Sequence, residues 1–200
     1  MTVNSELKDL HQAKRPVSGA LAGPYGHPFH PLLVTVPIGA WVSSLVFDIA
    51  SRAVGRPAFL THGSAWLIAI GVLGALAAAC VGFLDLFAVP TGTPAHRTAL
   101  THMALNLAVT VAYAAGFAWR QGAGYPEGRG VGYGQLALSV VALAVLGLSG
   151  YLGGKLAYRY GVRVAEESVQ AEGYRTTSGP EGARRHDARR HDARPHDAGP

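Results

Sequence analysis

Residues 63–84 read GSAWLIAIGVLGALAAACVGFL and contain no Asp, Glu, Lys or Arg. A helix rises about 1.5 Å per residue and the hydrocarbon core of a bilayer is about 30 Å thick, so roughly 20 such residues cross it. Three more uncharged runs accompany this one: Pro31 to Phe47, Thr98 to Trp119 and Tyr133 to Gly154. The last two reach the spanning length unaided. The first reaches it if Asp48 to Ala53 complete the helix, which places Asp48 toward the far end of the span. The pattern predicts an all-α fold, an integral membrane four-helix bundle of up-down-up-down topology. Its helices fall at about 30–53, 62–88, 97–120 and 134–160, within a domain at 27–164, after a leader at 1–26 and before a disordered tail at 165–200.

Composition agrees. The chain is 49% hydrophobic and 14% charged with a mean hydropathy of +0.20, whereas soluble domains carry about a quarter charged residues. The single cysteine, Cys80, lies mid-span and excludes an intrachain disulfide. No CxxCH for covalent haem and no cysteine set for an iron–sulfur cluster or structural zinc occurs. The net charge of +5 resides largely in loops and tail. No soluble domain remains to offer nucleic acid a basic face.

The leader carries Lys8, Lys14 and Arg15 but no apolar core, so it does not read as a cleaved secretory signal, and the first span serves as its own insertion signal. Val3, Leu7 and Leu10 could line a short interfacial helix, yet three residues make a thin pattern, and the leader is read as solvated. Near the spans, Lys8, Lys14, Arg15, Arg97, Lys155, Arg159 and Arg163 share one side against Arg52, Arg56, Arg120 and Arg129 on the other. That excess places both termini in the cytoplasm and the chain in the inner membrane. The tail ends in a period-five Arg-Arg/Pro-His-Asp-Ala repeat from Arg184 to Ala198, which can bury no core.

Small residues at four-residue spacing, Gly71, Ala75 and Ala79 with Ala78 and Gly82, and Gly150 with Gly154, are suited to close helix approach. Trp41, Trp66, Trp119, Tyr133 and Tyr151 fall mostly near span ends, where amphipathic rings sit.

Ionisable side chains inside a bilayer are expensive, and where they persist they face a bundle interior. In the expected topology the starts of helices 1 and 3 and the ends of helices 2 and 4 meet in one leaflet. The polar residues gather there. The candidate cofactor-binding residues are His27, His30, Asp85, His102, Asn106 and Tyr151; His102 and Asn106, four apart, share a helix face. Three readings compete. Histidines from facing helices could ligate haem b or another metal, with Asp85 or Asn106 orienting a ring. Alternatively His30, Asp85, His102 and Tyr151 form a proton or quinone-headgroup site, because imidazole, with an ordinary pKa of about 6.5, exchanges protons readily. In the third reading Asp85 pairs with Arg97 or Lys155 and the histidines bond the backbone at helix ends.

At the other leaflet Asp48, with Ser44 and His62, forms a smaller polar group explained by an Asp48–Arg52 salt bridge one turn on. No nucleophile and base pair or phosphate-cradling loop argues for an enzyme. The glycine-rich stretch Gly122 to Gly134 is read as a flexible turn, and no inverted repeat supports a transporter.

The run His27-Pro28-Phe29-His30-Pro31-Leu32-Leu33-Val34 with Pro37-Ile38-Gly39 and Phe47-Asp48 resembles the opening of bacterial membrane proteins of the domain of unknown function 2231 family. The likeness continues through Gly82-Phe83-Leu84-Asp85, His102-Met103-Ala104-Leu105-Asn106, Ser149 to Gly154 and Tyr158 to Val162, covering residues 27–164. It implies a four-helix membrane domain without an assigned activity. Similar domains occur joined to Rieske or cytochrome c modules, which implies membrane electron transfer; this chain has no cysteine pairs and no attached redox domain. The expected role is therefore a haem- or quinone-linked electron-transfer subunit, or a docking site for a membrane redox protein. The alternative is a noncatalytic scaffold or anchor whose polar residues lock helix packing.

Overall fold

A computed structural model describes residues 3–15, 28–124 and 128–174. His27 and the repetitive tail lie outside them. The described residues form α1 (Val3–Lys14), α2 (Phe29–Leu33), α3 (Thr35–Ser51), α4 (Ala58–Leu86), α5 (Pro94–Ala123), α6 (Tyr133–Tyr158) and α7 (Glu167–Glu172), and no strand occurs among them. Four stretches are long and apolar enough to cross a membrane: Phe29–Ser51, comprising α2 and α3, then α4, α5 and α6. α7 belongs to a separate unit, Ala165–Pro200.

Local chemistry sets the helix boundaries. Pro37 has no N–H to return to the Leu33 carbonyl, and the first span breaks at Val34. There Val34 N–H reaches His30 O at 3.1 Å and Ile38 N–H reaches Val34 O at 3.3 Å. α5 starts at Thr93, whose Oγ1 accepts the His96 N–H at 3.1 Å, with Pro94 in the first helical position. After α6 the chain turns through Gly161 and Arg163, both with positive φ (67° and 58°), and Arg163 N–H donates to Ala13 O at 3.0 Å. The leader, expected to be solvated, therefore contains a helix fastened to the bundle, with Ala13 buried.

α3 neighbours α4 and α6, and α5 neighbours the same two, so α3 and α5 face one another across the diagonal. The exterior is apolar: Phe59, Leu73, Leu107 and Val141 are all exposed. Such a surface suits lipid, and the chain is a multi-pass membrane protein in contact with the bilayer. The core holds Trp41, Ile68, Val109, Tyr113 and Ala142. Trp41, expected near a span end, instead lies in the middle of this core and stacks on Tyr113 at 4.2 Å between centroids and 7° between planes. Room for it comes from Gly71, where a Cβ would overlap the indole nitrogen. Gly150, by contrast, has nothing within 4 Å, so the small-residue pair expected in the fourth span is not a packing contact there.

The contacts disclose an internal repeat that the sequence pattern hides. His30 and His102, Trp41 and Tyr113, and Asp48 and Arg120 are each 72 positions apart, and each pair meets at its own level of the bundle. The diagonal spans therefore run parallel. Their partners repeat with a spacing of 71: Trp41 Nε1 donates to Ile68 O at 3.4 Å, and Tyr113 Oη donates to Ser139 O at 3.3 Å. A Cβ at Gly63 would stand 2.8 Å from Phe47, and one at Gly134 would stand 2.7 Å from Trp119. Spans one and two are thus matched by spans three and four in the same chain direction, a parallel repeat rather than an inverted one.

Where the two halves face each other at one end, they carry opposite charges. Arg120 Nη2 lies 2.7 Å from Asp48 Oδ2, with both side chains buried. Ser64 donates to Asp48 Oδ1, and Ser139 Oγ lies 3.2 Å from the guanidinium, so this pair ties all four spans. The expected Asp48–Arg52 bridge does not form. Arg52 instead donates to Val131 O at 2.7 Å and lies 3.6 Å above the Tyr133 ring, because Asp48 faces inward whereas Arg52, past the last turn, is exposed. The glycine-rich stretch is also less loose than expected: Val131 N–H donates to Ser51 Oγ at 3.0 Å, and a Cβ at Gly130 would stand 2.5 Å from Ser51 O.

Two outcomes follow from this packing. Asp48→Ala leaves a buried guanidinium unneutralised and should cost about 3–5 kcal/mol, while Asp48→Leu with Arg120→Leu should cost far less; denaturant unfolding of the detergent-solubilised protein measures both. Gly71→Ala should destabilise by about 1–3 kcal/mol through overlap with Trp41. Gly150→Ala should be neutral, or stabilising by up to about 1 kcal/mol, in the same assay.

Candidate functional site

At the opposite end of the bundle, each half contributes one imidazole held by the same device. His30 on α2 places Nδ1 2.9 Å from Ala78 O of α4, and His102 on α5 places Nδ1 2.8 Å from Ser149 O of α6. A carbonyl oxygen only accepts, so Nδ1 carries the proton in both rings. The carbonyl is reachable because the residue one turn further on is glycine. A Cβ at Gly82 would stand 2.8 Å from the His30 ring, and one at Gly153 would stand 3.0 Å from the His102 ring. The rings lie edge to face, with centroids 6.4 Å apart.

The halves differ at Nε2. Asn106 Nδ2 donates to His102 Nε2 at 3.0 Å and also to His102 O at 3.0 Å, while Ser149 Oγ lies 3.0 Å from His102 Nδ1. Both nitrogens of His102 are therefore engaged. The position matching Asn106 in the first half is Val34, which offers no side-chain hydrogen bond. His30 Nε2 consequently has no hydrogen-bond partner among the described residues.

Asp85, in the last turn of α4, lies close enough to His30 for their charges to interact, and pairs with Arg163 Nε at 3.0 Å. Neither Arg97 nor Lys155 takes that place: Arg97 is exposed, and Lys155 Nζ lies 5.6 Å from the Tyr160 ring centre. Arg163 reaches Asp85 from the turn that α1 fastens through Ala13 O, so the leader helix helps to build this end. The position matching Asp85 in the second half is Leu156, and the acid has no counterpart.

Of the expected site residues, the structure brings together His30, His102 and Asn106, with Asp85 beside His30. Tyr151 is not among them. It stands 70% exposed, two residues beyond Ser149 and hence about 200° around α6 from the His102 contact. His27 lies outside the described residues. Sequence reasoning missed Arg163, which no apolar periodicity flags. It also missed Ala78 and Ser149, which act through backbone oxygens.

Bis-histidine haem b, the form expected from facing helices, does not fit this arrangement. It needs both Nε2 atoms turned to one iron across a flat macrocycle. Here Asn106 occupies His102 Nε2, and both rings lie directly on the glycines of neighbouring helices. No group of three or more His, Cys, Asp or Glu side chains that could hold a metal ion occurs among the described residues. What the arrangement can do is present one imidazole nitrogen, next to a carboxylate–guanidinium pair, as a hydrogen-bonding or proton-exchanging group.

No curated protein and no solved structure matches this chain. A family model described as predicted membrane protein (DUF2231) matches residues 26–166, which takes in both histidine locks, the Asp48–Arg120 pair and the Asp85–Arg163 pair. With four apolar spans and this match over most of its length, the chain belongs to the DUF2231 family of predicted membrane proteins.

Proposed function

We propose that this protein is an inner-membrane subunit linked to electron transfer, in which the His30 end receives a quinone-type headgroup. One observation carries the reading. Two imidazoles occupy matching positions in two matching halves, and of the two only His30 keeps Nε2 unbonded among the described residues and has an acid near enough for their charges to interact. A structural lock needs Nδ1 alone, as both rings use it. The surplus at His30 is therefore not explained by packing.

A quinone headgroup presents carbonyl oxygens that accept hydrogen bonds. Protonated at Nε2, His30 would donate to such an oxygen while Nδ1–H stays on Ala78 O. Arg163 holds the Asp85 carboxylate in place on this side of the site. His102 and Asn106 maintain the far wall. With both termini cytoplasmic, as the loop charges favour, this site faces the cytoplasmic leaflet.

A second reading, a noncatalytic scaffold, draws support from His102, whose Nδ1–H joins α5 to α6 through Ser149 O while Asn106 of its own helix takes its other ring nitrogen. Interhelical hydrogen bonds in membranes contribute about 0.6–1.7 kcal/mol each.

One variant set separates the two. His30→Asn preserves a donor near the Nδ1 position, and thus the lock on Ala78, while removing Nε2. We expect quinone to co-purify with the wild type in mild detergent, measured by solvent extraction and chromatography. It should fall at least tenfold in His30→Asn and Asp85→Asn with the His30→Asn unfolding midpoint unchanged. Equal quinone in all three proteins, or none in the wild type, leaves only the scaffold. His102→Ala should cost about 1–3 kcal/mol of stability under either reading, since it breaks bonds between helices.

A further inference from the structure

The Arg120 guanidinium is 97% buried in effect, since its residue is only 3% exposed, yet it is incompletely satisfied. Nη2 serves Asp48 and Ser139, while Nε and Nη1 have no hydrogen-bond partner among the described residues. Unpaired buried donors on a cation are costly, on the order of 1–3 kcal/mol or more, so they call for an acceptor from outside the protein fold.

Arg120 also forms part of the wall of a cavity of about 280 Å³, lined as well by Thr61, Trp119, Arg129, Gln135 and the backbone at Gly130 and Gly132. No acidic side chain lies among its described lining residues. Charges decide the ligand's sign. Arg120 and Arg129 bring two positive charges and Asp48 one negative, which leaves room for one anion. The unbonded Nη1 amino group of Arg120 and the Arg129 guanidinium supply N–H donors that match an oxyanion, and phosphate above all.

We propose that this cavity binds a phosphate group, supplied either by an anionic phospholipid headgroup or by free phosphate. Its depth is compatible with both sources. Trp119, which lines it, is 51% exposed, as aromatic rings are at the level where acyl chains give way to headgroups. The cavity lies at the Asp48–Arg120 end of the bundle, away from His30. It is independent of the quinone reading.

The test uses the full chain purified in neutral maltoside, with thermal unfolding followed at constant ionic strength. Sodium phosphate is titrated in one arm and short-chain phosphatidylglycerol in the other, with phosphatidylcholine as the uncharged-headgroup control. Arg120→Gln risks the fold by stranding Asp48, so the decisive variant is Arg129→Gln at the exposed rim, with Lys8→Gln as a basic control on α1. A saturable rise in midpoint that needs at least tenfold more ligand in Arg129→Gln, and is unchanged in Lys8→Gln, supports the site. If phosphatidylglycerol alone acts, the source is lipid; if phosphate acts, it is the free ion. No saturable rise in either arm overturns the proposal and leaves water as the acceptor of Arg120. So does a rise that phosphatidylcholine matches or that Arg129→Gln leaves intact.

Discussion

A carboxylate and a guanidinium, both excluded from solvent, meet across the diagonal of this bundle, and the order of the remaining parts depends on that meeting. Asp48 and Arg120 stand at the same place in two matching halves. Identical charges there would repel, and an isolated charge in hydrocarbon costs at least about 2.5–3.5 kcal/mol. Opposite charges make the two halves complementary. Ser64 and Ser139 extend the contact to the remaining spans, so one pair fixes the level of four helices at once. Above it the Trp41–Tyr113 stack fills the centre, and beyond the stack the two imidazoles occupy the far end.

The two ends divide the work differently. Around Asp48 the carboxylate, Ser64 and Ser139 are consumed in holding helices together; around His30 the Nε2 atom has no hydrogen-bond partner among the described residues. The difference comes from single positions in which the halves have drifted apart. Asn106 closes the imidazole of the second half, whereas Val34 cannot close that of the first. Asp85 has only Leu156 as its match. A duplicated frame with local departures from symmetry gives a simple rule: shared contacts build the bundle, and unshared polar groups are where a ligand would bind.

Much of this was readable from the chain alone. Uncharged runs of spanning length set the four helices, and the positions of His30, Asp85, His102 and Asn106 near matching helix ends foretold their gathering. The partner of Asp48 was not readable from local spacing, because Arg52 sits one turn away and the i,i+4 rule favours it, whereas Arg120 is 72 positions off. A signal was nevertheless present. Sliding the sequence against itself by 72 and 71 sets His30 on His102, Trp41 on Tyr113, Asp48 on Arg120 and Gly82 on Gly153. Little residue identity survives in that register, since one half uses Trp and Asp where the other uses Tyr and Arg. Tyr151 was misplaced for a different reason: helix rotation is invisible in a run where apolar residues cover every face. Arg163 was missed because a turn with positive φ at arginine leaves no compositional trace.

The placement of the buried acid early in the chain, and of its base late, bears on biogenesis. Asp48 emerges from the ribosome before Arg120, so the first hairpin enters the bilayer with a carboxylate that no residue of its own half neutralises. Until the third span arrives, that hairpin is better held at the protein-lined wall of the insertion machinery than released into lipid. Release of the first hairpin is thereby coupled to the arrival of the third span, and a chain cut short before residue 120 keeps a carboxylate without its base.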